Sequence, residues 1–226
     1  AVPVVPCYLH GCFEALRRNL PSVKLLLHIG APFQGSLGYE EAIKQASREF
    51  SGGASEEDVV SILYTGGTTG LPKGVMLTNR TWVANTLNTL PMLPVKPDDV
   101  NLVMTPLFHT AAVWPALLHL YAGGSTVIPR RFEVKPILEI IEKERVTFCH
   151  PVLSQVISMV EHPDAAKHDL SSLHTIQCSM NLPLPAFQRA LKVFGNNIVP
   201  GYGLTEAGPM VSLMPRGEIA SWGSAA

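Results

Sequence analysis

Short apolar runs alternate along this chain with stretches of helical period, and that alternation restricts the fold more than any other feature. Strand-like runs lie at 23–29, 59–64, 100–104, 126–128, 146–149, 175–178 and 198–199. Helical patterns fall between them at 40–50, 80–90 with Asn79 as N-cap, 111–121 with a bend at Pro115, 134–145, 152–161 and 185–194. Strand–helix alternation predicts an α/β fold, with helices layered around a mainly parallel sheet.

Composition adds one puzzle. With 46% hydrophobic residues in 226, the chain can build a core, yet charged residues make up only 15%, against about 25% in an ordinary soluble domain. No apolar run is long enough for a membrane span. The apolar excess therefore predicts surface that other protein covers, and a start at Ala1 without Met fits an internal piece of something longer. A net charge of −1 gives no electrostatic reason for a nucleic-acid or anionic-membrane partner. Cys7, Cys12, Cys149 and Cys178 include no CxxC pair and follow no signal peptide, so a reduced, cytoplasmic setting is expected. Cys7, His10 and Cys12 lack a fourth ligand for zinc and read as ordinary thiols and imidazole.

The run Tyr64-Thr65-Gly66-Gly67-Thr68-Thr69-Gly70-Leu71-Pro72-Lys73-Gly74 follows one of the predicted strands. Its glycines let backbone N–H groups approach an anion, its threonines add hydroxyl donors, and Lys73 adds a point charge, which together make a phosphate loop. It is not the Walker type, because Lys73 stands between Pro72 and Gly74. Far downstream, Gly201-Tyr202-Gly203-Leu204-Thr205-Glu206 follows another predicted strand. Ligands of open α/β sheets gather beyond the carboxyl ends of strands, so both motifs are placed for binding.

Together these segments resemble the adenylate-forming enzymes, a superfamily that includes acyl-CoA synthetases, firefly-type luciferases and peptide-synthetase adenylation domains. The first matches that family's Tyr-Thr-Ser-Gly-(Ser/Thr)-Thr-Gly-x-Pro-Lys-Gly loop, with Gly66 in the serine position, and the second its Tyr-Gly-x-Thr-Glu element. Pro106-Leu107-Phe108-His109 resembles the Pro-x-Phe-His segment of acyl-CoA synthetases and luciferases rather than the Phe-Asp-x-Ser of peptide synthetases. The resemblance implies a part of the family's large N-terminal domain and an AMP-forming ligase that turns a carboxylic acid and ATP into an acyl-adenylate, then a CoA thioester. It implies that Thr65, Gly66, Gly67, Thr68, Thr69, Gly70 and Lys73 hold the β and γ phosphates. Tyr202, between Gly201 and Gly203, would stack on adenine, Thr205 would touch the α-phosphate, Glu206 would ligate Mg²⁺, and His109 would sit near the acyl carboxylate. Ser179, Met180 and Asn181 occupy the place of a Gly-Gly-Ala-like turn beside adenine and the acyl pocket, and they are this chain's clearest departure. Lys73, His109, Thr205 and Glu206 are the expected catalytic set.

Two rivals share these motifs: a luciferase-like adenylating oxygenase, and a non-catalytic nucleotide-binding or interaction module. The intact Thr65, Thr69, Lys73, Thr205 and Glu206 favour an active enzyme. The resemblance also places a C-terminal domain carrying a further lysine beyond this chain, so residues 1–226 alone are expected to be inactive. The domain reading puts the tail of a first α/β subdomain at 1–92, a second at 93–214 and an unstructured tail at 215–226. The histidines at 28, 119, 150, 162, 168 and 174 have no ligand spacing and are expected in core or surface roles.

Overall fold

A computed structural model describes residues 4–17, 19–49, 52–66, 70–179, 184–215 and 218. Its contacts group into two units, 1–53 and 54–226.

In the first unit, β1 (Val4–Pro6), β2 (Leu27–Ile29) and β3 (Leu37–Gly38) form a small sheet in that order, with both pairs parallel. Helices α1 (His10–Arg17) and α2 (Tyr39–Gln45) accompany it. Glu40 and Glu41 lie in the first turn of α2 and Lys44 in its last, the order that complements a helix dipole.

The second unit opens with a hairpin of β4 (Val59–Thr65) and β5 (Lys73–Thr78), an isolated antiparallel pair running from Val59 opposite Thr78 to Thr65 opposite Lys73. The phosphate loop is therefore the turn of a hairpin rather than the exit of a parallel strand. The outer face of the hairpin leaves Val60, Ile62 and Met76 more than half exposed, which locates part of the apolar excess. Helix α3 (Asn79–Thr89) follows directly. Its cap is Thr78, whose hydroxyl accepts from the Thr81 N–H at 3.2 Å, and not Asn79. The Asn79 amide instead donates to the Ser55 carbonyl at 2.9 Å. Both residue types cap helices well, and the extended backbone at Thr78 decides between them.

Beyond α3, strands and helices alternate as β6 (Val100–Leu102), α4 (Thr110–Ala122), β7 (Ser125–Val127), α5 (Val134–Lys143), β8 (Phe148–Cys149), α6 (Leu153–Glu161), β9 (Thr175–Ser179), α7 (Leu184–Phe194), β10 (Ile198–Gly203) and β11 (Met210–Leu213). The strands form one sheet in the order β11-β10-β9-β8-β6-β7, parallel throughout except for β11. This is the α/β architecture that the alternation predicts, and β5 and β11 are the strands of this unit that it did not anticipate.

Both faces of the sheet are covered, as parallel sheets require. On one face Cys149, Ile176 and Ile198 pack with Ile137 and Ile141 of α5, Met159 of α6 and Phe194 of α7. On the other, Phe148 and Val199 pack with Trp82 of α3 and Trp114 and Leu118 of α4. Adjacent residues such as Phe148 and Cys149 serve opposite faces because strand side chains alternate. Fully burying one such side chain contributes about 1.5–3 kcal/mol. The edge strand β11 is fastened to α3, since the Asn85 amide donates to the Met210 carbonyl at 2.8 Å.

Candidate functional site

A cavity of about 400 Å³ opens in the second unit where several of these elements end. Thr65 closes β4 and forms one part of its wall. His109, Thr110, Ala111 and Trp114 come from the start of α4, His150 to Val152 from the turn between β8 and α6, and Gln177 from β9. Gly201, Gly203 and Leu204 to Glu206 come from the end of β10 and the short 3-10 turn after it. The turns after β8 and β10 are carboxyl ends of parallel strands, where ligands of such sheets collect.

Local chemistry explains how the wall is held. His109 caps α4, its Nδ1 accepting the Ala111 N–H at 3.1 Å, so a neutral ring carries its proton on Nε2. Thr205 and Glu206 lie on the 3-10 turn 205–207, which ends at Gly208 with φ of 76°. A side chain at 208 would also collide with Thr81 of α3, so only glycine lets the turn sit this close. Gly201 has a comparable role, because a Cβ there would land on the Gln177 amide nitrogen.

The structure thus brings Thr65, His109, Gly201, Gly203, Thr205 and Glu206 to one cavity. Lys73 is not in the wall, but it stands across the hairpin from Thr65 and is exposed. Gly66 and Gly70 are exposed and outside the wall, and Tyr202 is 60% exposed on β10. Ser179 ends β9, paired in register with Gly201. Gly67, Thr68, Thr69, Met180 and Asn181 lie outside the described residues, as does most of 215–226.

Among the wall residues not singled out as site candidates from the sequence are Trp114, His150 and Gln177. His150 packs edge-on against Trp114, ring centroids 5.7 Å apart. Burial, assisted by the neighbouring His109, pulls its pKa from 6.5 down to about 4, so the ring is neutral. One signal was available, because His150 directly follows a predicted strand, the same position that drew attention to the two loops. Gln177 gave another, as a polar residue inside an otherwise buried strand. Cys149 and Cys178 offer no nucleophile here. Burial raises both thiols, that of Cys178 to about 12.

Residues 3–225 match the AMP-binding enzyme family. The chain belongs to that family. It is 38% identical over 168 residues to a feruloyl-CoA synthase of Amycolatopsis sp., covering 73% of this chain and 34% of that protein. With 4-coumarate–CoA ligase 3 of Oryza sativa subsp. japonica it shares 31% identity over 206 residues, covering 88% of this chain and 36% of the ligase. The fold is similar to that of an anthranilate CoA ligase solved in complex with anthranoyl-AMP, with a TM-score of 0.86, 23% identity, and coverage of 96% of this chain and 43% of that one. The chain spans about a third of the length of the curated relatives it matches. Among the described residues no helix is long and apolar enough to cross a membrane.

Proposed function

We propose that this chain forms the nucleotide-facing and acid-facing part of an ATP-dependent, AMP-forming acyl-CoA ligase. The observation that carries the reading is the single cavity shared by Thr65 at the flank of the phosphate loop, His109, and the Thr205–Glu206 turn. Family membership and relatives named for CoA thioesters of ferulate and 4-coumarate support it, and they make arylpropenoic acids the first substrates to test.

In this reading the loop and Lys73 hold the β and γ phosphates and neutralise the departing pyrophosphate, each charge-assisted hydrogen bond contributing about 1.5–3 kcal/mol. The adenine and acyl side is assigned to Ser179, Met180 and Asn181 by family resemblance alone, and Tyr202 offers an exposed ring for adenine. Thr205 donates to the α-phosphate, and His109 presents Nε2–H to the acid's carboxylate. Catalysis is then mainly alignment of carboxylate and α-phosphate in a site built to stabilise the charge that develops there.

Magnesium fits the residues present. Glu206 is an exposed carboxylate on the cavity wall, and no group of three or more His, Cys, Asp or Glu among the described residues could cage an ion unaided. That suits a cation that takes most of its ligands from phosphate and water. Glu206 would hold it, and when bound it would offset phosphate charge.

The same reading keeps a subdomain boundary near residue 92, inside the 54–226 unit. All strands of the six-stranded sheet lie between Val100 and Leu213, which supports it, while α3 on the near side packs against that sheet. It also assigns the enzyme to the cytoplasm and gives it further domains. The exposed apolar face of the hairpin and the short span relative to relatives support those domains, without which residues 1–226 are not expected to turn over.

The test is acid-dependent ATP–pyrophosphate exchange across a panel of carboxylic acids, followed by product analysis with CoA. Exchange with no acid, or an adenylate that CoA does not accept, would overturn the reading.

A further inference from the structure

Where β6 and β8 part, a side chain takes over from the backbone. The two strands pair from Asn101 opposite Phe148 to Leu102 opposite Cys149. Two residues beyond the last pair comes Pro151, which has no N–H to carry a ladder on. The chain leaving β6 runs to His109 and the start of α4, and the chain leaving β8 turns through His150, Pro151 and Val152 into α6. Both stretches reach the wall of the cavity.

Gln155 joins them. Its Oε1 accepts the Val152 N–H at 3.0 Å, and its Nε2 donates to the Met104 carbonyl at 2.6 Å. The first bond is the return arm of a capping box, in which a glutamine at the third helical position takes the N–H of the N-cap residue. The second does nothing for the helix, because it crosses to a segment 51 residues earlier in the chain. Only one orientation of the amide serves both, since the N–H requires its oxygen and the carbonyl its nitrogen. Gln155 is buried at 9% exposure and Met104 at 5%, so water is a poor replacement for the lost donor.

We infer that Gln155 is a positioning residue: it sets the spacing between the segment that delivers His109 and the 150–152 turn, and so holds one side of the cavity in working geometry. Gln155 itself is not among the residues lining the cavity. The consequence for turnover rests on the ligase reading, whereas the clasp rests on its two hydrogen bonds.

The test measures pyrophosphate exchange by the enzyme carrying this chain, with ferulic, 4-coumaric and benzoic acids, in the wild type, Gln155→Met and Gln155→Leu. Both substitutions keep an apolar side chain of similar volume and remove both hydrogen bonds, so a role in packing alone would survive them. The acid KM should rise by about tenfold or more, since a misplacement of about an ångström is enough for that. The ATP KM should stay within about twofold, because Thr65 and the Thr205–Glu206 turn belong to other elements. A role confined to folding would lower the amount of active enzyme and leave both constants alone. Thermal melting identifies the folded variants, and residue-resolved hydrogen exchange is followed on the same proteins. In the wild type the Val152 amide should exchange at least about tenfold more slowly than an open amide. Residues 103–109 and 149–153 should lose protection in the variants while β9 and β10 keep theirs. An unprotected Val152 amide in the wild type, or an acid KM unmoved in a folded variant, overturns the proposal, and the wild-type amide decides if neither variant folds. Failure of every acid to support exchange sinks the ligase reading instead, and hydrogen exchange then decides the clasp by itself.

Discussion

Thr65 and Lys73 face each other at the loop end of the β4–β5 hairpin, with the threonine hydroxyl 3.5 Å from the lysine carbonyl oxygen. Because Thr65 lies in the cavity wall, this register fixes where the lysine stem begins relative to the site. Lys73→Ala should therefore slow adenylation with little loss of fold, since the side chain is exposed. Losing a charge-assisted contact of about 2 kcal/mol corresponds to about thirtyfold in rate. Pyrophosphate exchange at low and saturating ATP measures it, and rates equal to wild type at both would remove Lys73 from the site.

Glu206→Gln keeps the side chain's size and removes its charge. The magnesium concentration needed for half-maximal exchange should rise by about tenfold or more, while thermal unfolding stays put because Glu206 makes no ion pair among the described residues. A magnesium titration that overlays the wild-type curve would assign Glu206 a role other than metal binding.

How far the sequence led depends on what each residue's signal consists of. The parallel sheet was legible because runs such as Ile176 and Ile198 are apolar and their partners are helices of clear period. The hairpin was not, since β5 begins with Lys73 and Gly74, and its pairing with β4 is a register of long-range backbone contacts that no local pattern records. The ends of the cavity wall were legible where a motif spans several residues, as at Thr205 and Glu206. His150, just past the end of β8, and Gln177, within β9, are single polar residues far apart in sequence, and only the β8–β9 pairing brings them to the same wall.

The depressed pKa of His150 has a definite sign for stability. Below its ordinary value of 6.5 the unfolded chain takes up a proton there, and the folded protein does not until about pH 4. Stability should thus fall as pH drops through that window and level off below it, by at most about 3 kcal/mol from this group. His119, also held low by burial, pushes the same way, whereas Asp99, which burial raises but the Lys96 N–H and His174 together hold low, loses its contribution only below its ordinary value of 3.8. The informative quantity is the difference between wild type and His150→Leu in urea denaturation at pH 6.5 and pH 4.5. The variant should lose less stability on acidification, and parallel losses would show that His150 titrates normally.

Gly201 and Gln177 should be energetically coupled. In Gly201→Ala the new Cβ would meet the Gln177 amide nitrogen, with Leu213 Cδ2 at 2.9 Å and the Ser212 carbonyl oxygen at 3.2 Å. Overpacking of this kind costs about 1–3 kcal/mol. The leucine methyl can swing aside and the carbonyl contact is only tight, so most of the cost should come from expelling the amide from its place on the wall. Truncating Gln177 to Ala removes that obstacle. Gly201→Ala should then cost about 1 kcal/mol less in the Gln177→Ala background than in the wild type, a coupling of the size that touching residues show. Four urea denaturation curves complete the cycle. Strictly additive losses would mean that the amide is displaced freely, and that Gly201 serves the backbone of β10 rather than the side chain beside it.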